Sequence, residues 1–350
     1  MKRVIWIDVN VLVVLVIAST AGAQVRYQPT DLGRLEGNFS DTQGIKDPSH
    51  VVGSSSASDE TALPVLSWTQ SGAVDHLDTL GGSNGSAQGN GEDSQVVGYA
   101  DTTDGGSHAF IYTKAAGMQD LGTLGGSNSQ ANAINSGDDT DGPNQIVGWS
   151  LISEDTAQHA VAWDGNHKIV DLGTLGGTNS QAYGVNCDGL VVGSSGTMDD
   201  ATTDAFVWDP EFGMQDLGTL GGTVAQATAI NCSGQVVGFS SLPDDLETHA
   251  FLDINGSMKD LGTLGGGYSQ ATAINDPGRV VGFSNTAGDT GTHAFLWTRR
   301  RGMQDLNKLI PANSGWDLQV ASSINNRGRI FGVGTIKGQS HAFVLIPASR

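Results

Sequence analysis

Five histidines, His108, His159, His249, His293 and His341, each open a His-Ala-Phe or His-Ala-Val triplet, and Pro64 and Asp204 stand at the matching place in two further copies. Six aspartates, Asp31, Asp120, Asp171, Asp216, Asp260 and Asp305, recur in a second shared context, each followed by leucine. Imidazole and carboxylate are the groups of zinc sites and of acid–base pairs. Zinc, however, needs its ligands about 2 Å from one ion, and groups at one repeat position are spread apart. Acid–base work needs two carboxyl groups in unlike environments, which a repeated position does not give. The expectation is structural: histidines hydrogen-bonded to a neighbouring strand and aspartates closing turns. Gly125-Gly126 and its copies resemble phosphate cradles only superficially, because no Lys and no helix follow.

Two further groupings could hold a ligand. Acidic residues gather in the loops between the second and third strand of each copy: Asp59 and Glu60, Asp101 and Asp104, Glu154 and Asp155, Asp199 and Asp200, Asp244, Asp245 and Glu247, then Asp289. These loops carry no Lys or Arg in the first six copies, whereas Arg279, Arg299, Arg300, Arg301, Arg327 and Arg329 belong to the opposite ends of the strands. An electrostatically two-faced molecule follows, whose acidic face can recruit cations or a basic partner; a solvated loop rim is the competing reading. The third copy also carries an insert, Gly137 to Asn144, where Asp139, Asp141 and Gly142 echo part of a calcium loop without its first and closing acids. Calcium is the one cofactor that the sequence suggests.

The elements that must position these residues are set by one stretch, DLGTLGG at Asp216 to Gly222. Copies begin near residues 31, 76, 120, 171, 216, 260 and 305, a period in the mid-forties that suggests propeller blades. Unit 5 shows the strand pattern: Gln226–Asn231 (A), Gly234–Ser240 (B), His249–Asp253 (C) and Met258–Leu264 (D), bounded by Gly, Asn, Pro or Asp. The A to B link is an Asn-x-x-Gly turn suited to positive φ. Small residues in strand A suit the crowded strand beside a central channel. Strand D is missing from the last unit, and Arg26–Leu32 is expected to supply it and fasten the ring, removing exposed edges. The fold class is all-β: a seven-bladed propeller of four-stranded blades, with an N-terminal strand closing the last.

Composition agrees with a turn-rich extracellular chain. Fifty of the 350 residues are glycine, and 38% are apolar, too many for disorder. Residues 1–23 read as a secretory signal peptide, with Lys2 and Arg3, an apolar run to Ala18 and Ala21-Gly22-Ala23 as cleavage site, leaving 24–350 as one propeller domain. The run is too short to span a membrane, which takes about 20 residues. Loss of Lys2, Arg3 and Asp8 shifts the net charge from −20 to −21, a sign unsuited to nucleic acid. Cys187 and Cys232 occupy matching A to B turns of adjacent units. Equivalent atoms of a seven-fold ring at radius r are about 0.87r apart, so a disulfide is open to them only near r of ~8 Å, at the innermost turn.

The combination of DLGTLGG, AIN-x-x-G and HAFLW resembles the HAF-type extracellular repeat family of bacterial secreted proteins, over essentially all of residues 24–350. The resemblance implies an exported, repetitive, propeller-forming protein and brings no site residues or activity with it. Unit 1 departs with Pro64-Val65-Leu66 for H-A-F, and unit 2 with Asp78 for Gly and Asn90 for Ile. The expected role is a monomeric, non-enzymatic binding scaffold for a protein or glycan, using the acidic loop face. The alternatives are an extracellular hydrolase or lyase acting on polysaccharide, built from asymmetric residues such as Tyr183, Tyr268, Trp316 and Asp317, and a structural surface or matrix protein.

Overall fold

A computed structural model describes residues 27–33, 40–46, 50–55, 65–69, 74–91, 94–135 and 145–348. The chain is all-β. Unit 4 illustrates the plan: Gly176–Val185 (A), Val191–Thr197 (B), Thr203–Asp209 (C) and Gly213–Gly218 (D) pair in that order as an antiparallel meander. The same order recurs over 40–77, 81–120, 125–173, 225–260 and 265–305. In unit 7, Trp316–Ile324, Ile330–Ile336 and Gln339–Pro347 are joined by Tyr27–Gly33, whose Tyr27 faces Pro347 and Asp31 faces Phe343. The strand missing from the end of the sequence is therefore taken from its beginning. Three pairs of neighbouring meanders also touch through one parallel contact each, Asn128 with Ser107, Val224 with Thr203 and Tyr268 with Thr248.

Strands B and C carry runs of consecutive buried residues, so both of their faces are covered. Val147, Val192, Val237 and Val281 on strand B and Phe110, Phe206, Phe251, Phe295 and Phe343 on strand C are fully enclosed. They form apolar layers between successive sheets, such as Val97, Ile111, Leu121, Ile134 and Trp163 between units 2 and 3. Each such side chain contributes about 1.5–3 kcal/mol. Trp163 also donates its indole N–H to the Leu121 carbonyl at 2.9 Å, so the layer is keyed as well as greasy.

Glycine in the Val-Val-Gly of strand B has a steric cause. Strand A bulges one residue after its middle alanine, which brings its backbone across strand B. A Cβ on Gly148, Gly193, Gly238 or Gly282 would lie 1.9–2.0 Å from the carbonyl oxygen of Gln130, Gln181, Gln226 or Gln270. No side chain fits there.

The DLGTLGG stretch is a local hydrogen-bond code. Asp120 accepts from the Gly122 N–H, Gly122 has φ of +69°, and Thr123 both accepts from Gly125 N–H and donates to the Gly126 carbonyl. Strand B then anchors the loop, the Ser150 hydroxyl accepting the Leu124 N–H at 2.8 Å. Units 4 and 6 repeat these bonds with the copies of the same residues.

Two devices link one meander to the next. The strand A serine of units 3, 4 and 6 (Ser129, Ser180, Ser269) accepts the N–H of the preceding strand C alanine and donates to the preceding D-strand glycine carbonyl. At the A to B turns, the side-chain amide of Asn135 donates to the carbonyl of Asn186, Asn186 to Asn231, Asn231 to Asn275 and Asn275 to Asn325. Cys187 and Cys232 form a disulfide beside this ladder, with Cα atoms 5.4 Å apart. The spacing is that of the innermost turn.

Candidate ligand-binding channel and rim

Strand A has two faces, and its sequence assigns them. Ala87, Ala131, Ala182, Ala227 and Ala271 are fully buried against the sheets. The residues that alternate with them, Gln88, Gln130, Asn132, Gln181, Tyr183, Gln226, Thr228, Gln270, Thr272, Val320 and Ser322, wall a shared cavity of ≈ 450 Å³. A second cavity of ≈ 260 Å³ continues toward the A to B turns past Ile134, Val185 and Ile230. The small residues thus serve packing between sheets, and amides and hydroxyls face the channel. The glutamines were legible in the S-Q-A of units 3, 4 and 6 and the A-Q-A of unit 5.

The channel wall is organised and partly unengaged. Asn132 donates to the Ala182 carbonyl, Thr228 to Ala271 and Thr272 to Ala321, each crossing to the next unit. Gln130 donates to the Asn132 Oδ1, Gln158 donates to the Gln181 Oε1, and the Tyr268 hydroxyl donates to the Gln270 Oε1. Asn132 is engaged at both ends, whereas these bonds use only one end of the Gln130, Gln181 and Gln270 amides. Burial raises the Tyr183 hydroxyl above its ordinary pKa, with a side-chain bond to Ser194 acting in the opposite direction. The wall is therefore uncharged and dense in both donors and acceptors.

The acidic loops divide by position within each tip. Asp155 accepts the Ser127 N–H at 2.7 Å, Asp200 the Thr178 N–H and hydroxyl at 2.7 and 2.6 Å, Asp245 the Thr223 N–H and hydroxyl at 2.7 and 2.9 Å, and Asp289 the Gly267 N–H at 3.0 Å. Asp101 holds Asn84 through its N–H and amide, and Asp104 is bonded to the Thr102 hydroxyl. Asp101, Asp155, Asp200, Asp245 and Asp289 thereby clamp the B to C side onto the crossover that follows the double glycine, and Asp104 closes its own loop. Hydrogen bonding holds Asp104, Asp155, Asp200 and Asp245 below the usual carboxylate range, led by Thr102, Ser127, Thr178 and Ser241 respectively. Glu154, Asp199 and Asp244 sit one position earlier, exposed at φ of 65°, 60° and 77°. Glu247 lies 3.6 Å from the His249 imidazole. The rim charge available to a partner is thus narrower than the acidic loops suggest. The signal was in the sequence: the second tip residue is Asp in all four loops, while the first varies as Glu, Asp, Asp and Gly288.

The histidines pair with strand D as expected. Each Nδ1 lies 2.8–3.1 Å from a carboxylate: His108 from Asp120, His159 from Asp171, His249 from Asp260, His293 from Asp305 and His341 from Asp31. The last pair joins the two ends of the chain. The asymmetric residues do not meet in one place: Tyr183 walls the channel, Tyr268 stacks on Phe283 at 5.8 Å, and Trp316 packs edge-on against His341 and Phe343. Asp317 instead faces His293 at 3.6 Å. Asp59, Glu60, Asp139 and Asp141 lie outside the described residues, and among those described no group of three metal-ligating side chains converges.

No protein-family model matches the chain, and no curated protein matches it. Solved structures do match in fold. The puromycin-hydrolyzing peptidase of Mycobacterium tuberculosis aligns with a TM-score of 0.59 at 13% identity over 88% of this chain and 51% of its own. The acylaminoacyl peptidase of Pyrococcus horikoshii aligns with a TM-score of 0.53 at 10% identity over 91% and 54%. The β-propeller domain of the Trilobed protease from Pyrococcus furiosus aligns with a TM-score of 0.49 at 11% identity over 80% and 98%. The chain spans about half the length of the two peptidases. Strand order defines an all-β protein of repeated four-stranded meanders, a fold shared with part of each of the two peptidases.

Proposed function

We propose that the chain is a seven-bladed β-propeller that acts outside the cytoplasm as a non-enzymatic binding scaffold, taking a glycan or protein ligand at the channel mouth inside the acidic rim. The seven-blade reading is supported by the recurring four-strand meander and by strand A of unit 1 lying against strands A, B and C of unit 7. The disulfide supports an oxidising compartment, in keeping with the signal-like first 23 residues.

The observation that carries the binding role is the uncharged wall of half-engaged amides and hydroxyls around ≈ 450 Å³. Such a wall suits a ligand rich in hydroxyl or amide groups, because each unpaired channel group regains a partner only from a polar ligand. Exposed Glu154, Asp199 and Asp244 add attraction for cationic substituents, screened by salt.

The test is a glycan-array and pull-down screen of the chain from Gln24 onward, with Gln181→Ala and Gln226→Ala beside it. A selective ligand whose affinity falls about fivefold in either variant supports the channel as the site, since one lost hydrogen bond is worth about 1 kcal/mol. A ligand bound equally by both variants places recognition elsewhere, and an empty screen favours a structural role.

A further inference from the structure

Unit 4 breaks the histidine–aspartate pairing. Asp204 stands where five units place histidine, and strand D opposes it with a second carboxylate, Asp216. Phe206 faces Asp216 in the same register in which Phe110 faces Asp120, where His108 reaches Asp120, so Asp204 is set against the Asp216 carboxyl group, with Thr202 two residues before it. Asp204 is 9% exposed, and its Oδ1 is buried without a hydrogen-bond partner. Asp216 is already the acceptor for Gly218 N–H at 2.7 Å.

The surroundings break the repeat at the same point. Where units 3, 4 and 6 have the serine that accepts the preceding strand C N–H, unit 5 has Ala225, which offers no hydroxyl to Ala205. The chain compensates with Thr203 N–H donated to the Thr223 carbonyl at 3.0 Å and Ser241 N–H to the Val224 carbonyl at 2.8 Å. Strand A of unit 5 consequently runs only over Ala225–Ile230. The departure from repeat symmetry is concentrated around one pair of acids.

We propose that Asp204 and Asp216 form a cation site that takes a hard divalent ion of the calcium type, with the Thr202 hydroxyl as a further oxygen donor. In the other units, imidazole is the group that can place positive charge against the strand D carboxylate. Here nothing in the pair can, and two like charges in contact with one oxygen unpartnered call for a cation from outside. Oxygen-only donors select calcium over zinc or copper. Two carboxylates and a hydroxyl, completed by water, match the weak extracellular class, with Kd on the order of 10⁻⁴–10⁻³ M.

The repeat itself supplies the control, because Asp204→His restores the arrangement that five units fold with. Chelator-treated protein from Gln24 onward is titrated with calcium in a calorimeter, and thermal unfolding is followed with and without calcium. The expected result is one saturable event in the wild type, weakened at least tenfold in Asp204→His and in Asp216→Asn, and unchanged in Asp139→Asn/Asp141→Asn. Calcium should raise the unfolding midpoint of the wild type and leave that of Asp204→His unmoved. Absence of a wild-type response, or an equal response in Asp204→His, overturns the site. Stabilisation by acid and not by calcium, lost in Asp204→His, assigns a shared proton to the pair and overturns it equally.

Discussion

At the residue scale, a carboxylate in this chain is defined by its immediate donors. Asp155, Asp200 and Asp245 are held below the usual carboxylate range by hydrogen bonds, chiefly from Ser127, Thr178 and Ser241. Their stabilisation of the loops is complete above the unfolded value of about 3.9 and disappears as pH falls through the lowered folded value. Asp253 behaves oppositely. It replaces the tryptophan of strand C, is 1% exposed, and accepts from Gly256 N–H while its Oδ2 has no partner. Burial raises its pKa, so the folded state binds its proton more tightly and loses stability as pH rises from about 3.9 through the raised value. Asp253→Asn should therefore gain about 1–2 kcal/mol at pH 7 and nothing at pH 3.5, read by urea denaturation at both values. A gain of the same size at both pH values would contradict the charge argument.

At the element scale, the strongest constraint is the contact between the strand B glycine and the strand A carbonyl. Gly238→Ala puts a methyl group 1.9 Å from the Gln226 oxygen, and overpacking of this kind costs about 1–3 kcal/mol. Chemical denaturation should show that loss, while Gly256→Ala, which meets no neighbouring atom, should cost about 1–2 kcal/mol from its φ of +77° alone. The elements were largely legible because a short code repeats: Val-Val-Gly, His-Ala-Phe and Asp-Leu-Gly each mark one strand, and pairing of Tyr27–Gly33 with the last strand was readable from a missing D strand. The candidate site was less legible. Alternation put alanine and glutamine on opposite faces of strand A, and the alanines drew the eye to crowding when the glutamines defined the channel. The clamp role of Asp200 and its copies depends on the Thr178 N–H, a partner 22 residues away that no local motif announces.

At the scale of the whole molecule, order is passed from meander to meander by the asparagine ladder, the serine clasps and one covalent bond. The disulfide closes a loop of 45 residues between units 4 and 5, which by chain entropy stabilises by at most about 4 kcal/mol. Replacement of both cysteines by serine should lower the denaturation midpoint accordingly, and a free-thiol count on the unreduced, unfolded wild type should find none. Retention of full stability in the double variant would show that the ladder alone fixes this junction. The proposed cation site sits at the opposite ends of the strands from the disulfide, so both ends of the junction between units 4 and 5 depart from the repeat.

The pairing of Tyr27 with Pro347 and of Asp31 with His341 has a geometric consequence for anything attached to the chain. Both ends of the folded body leave from one spot, on neighbouring strands of a single sheet. A tether at either terminus would hang the molecule from the same point, in the same orientation, with the same loops turned outward. Joined to each other, the ends would make a covalent circle that could be reopened at another surface turn to give a permuted chain with the same contacts.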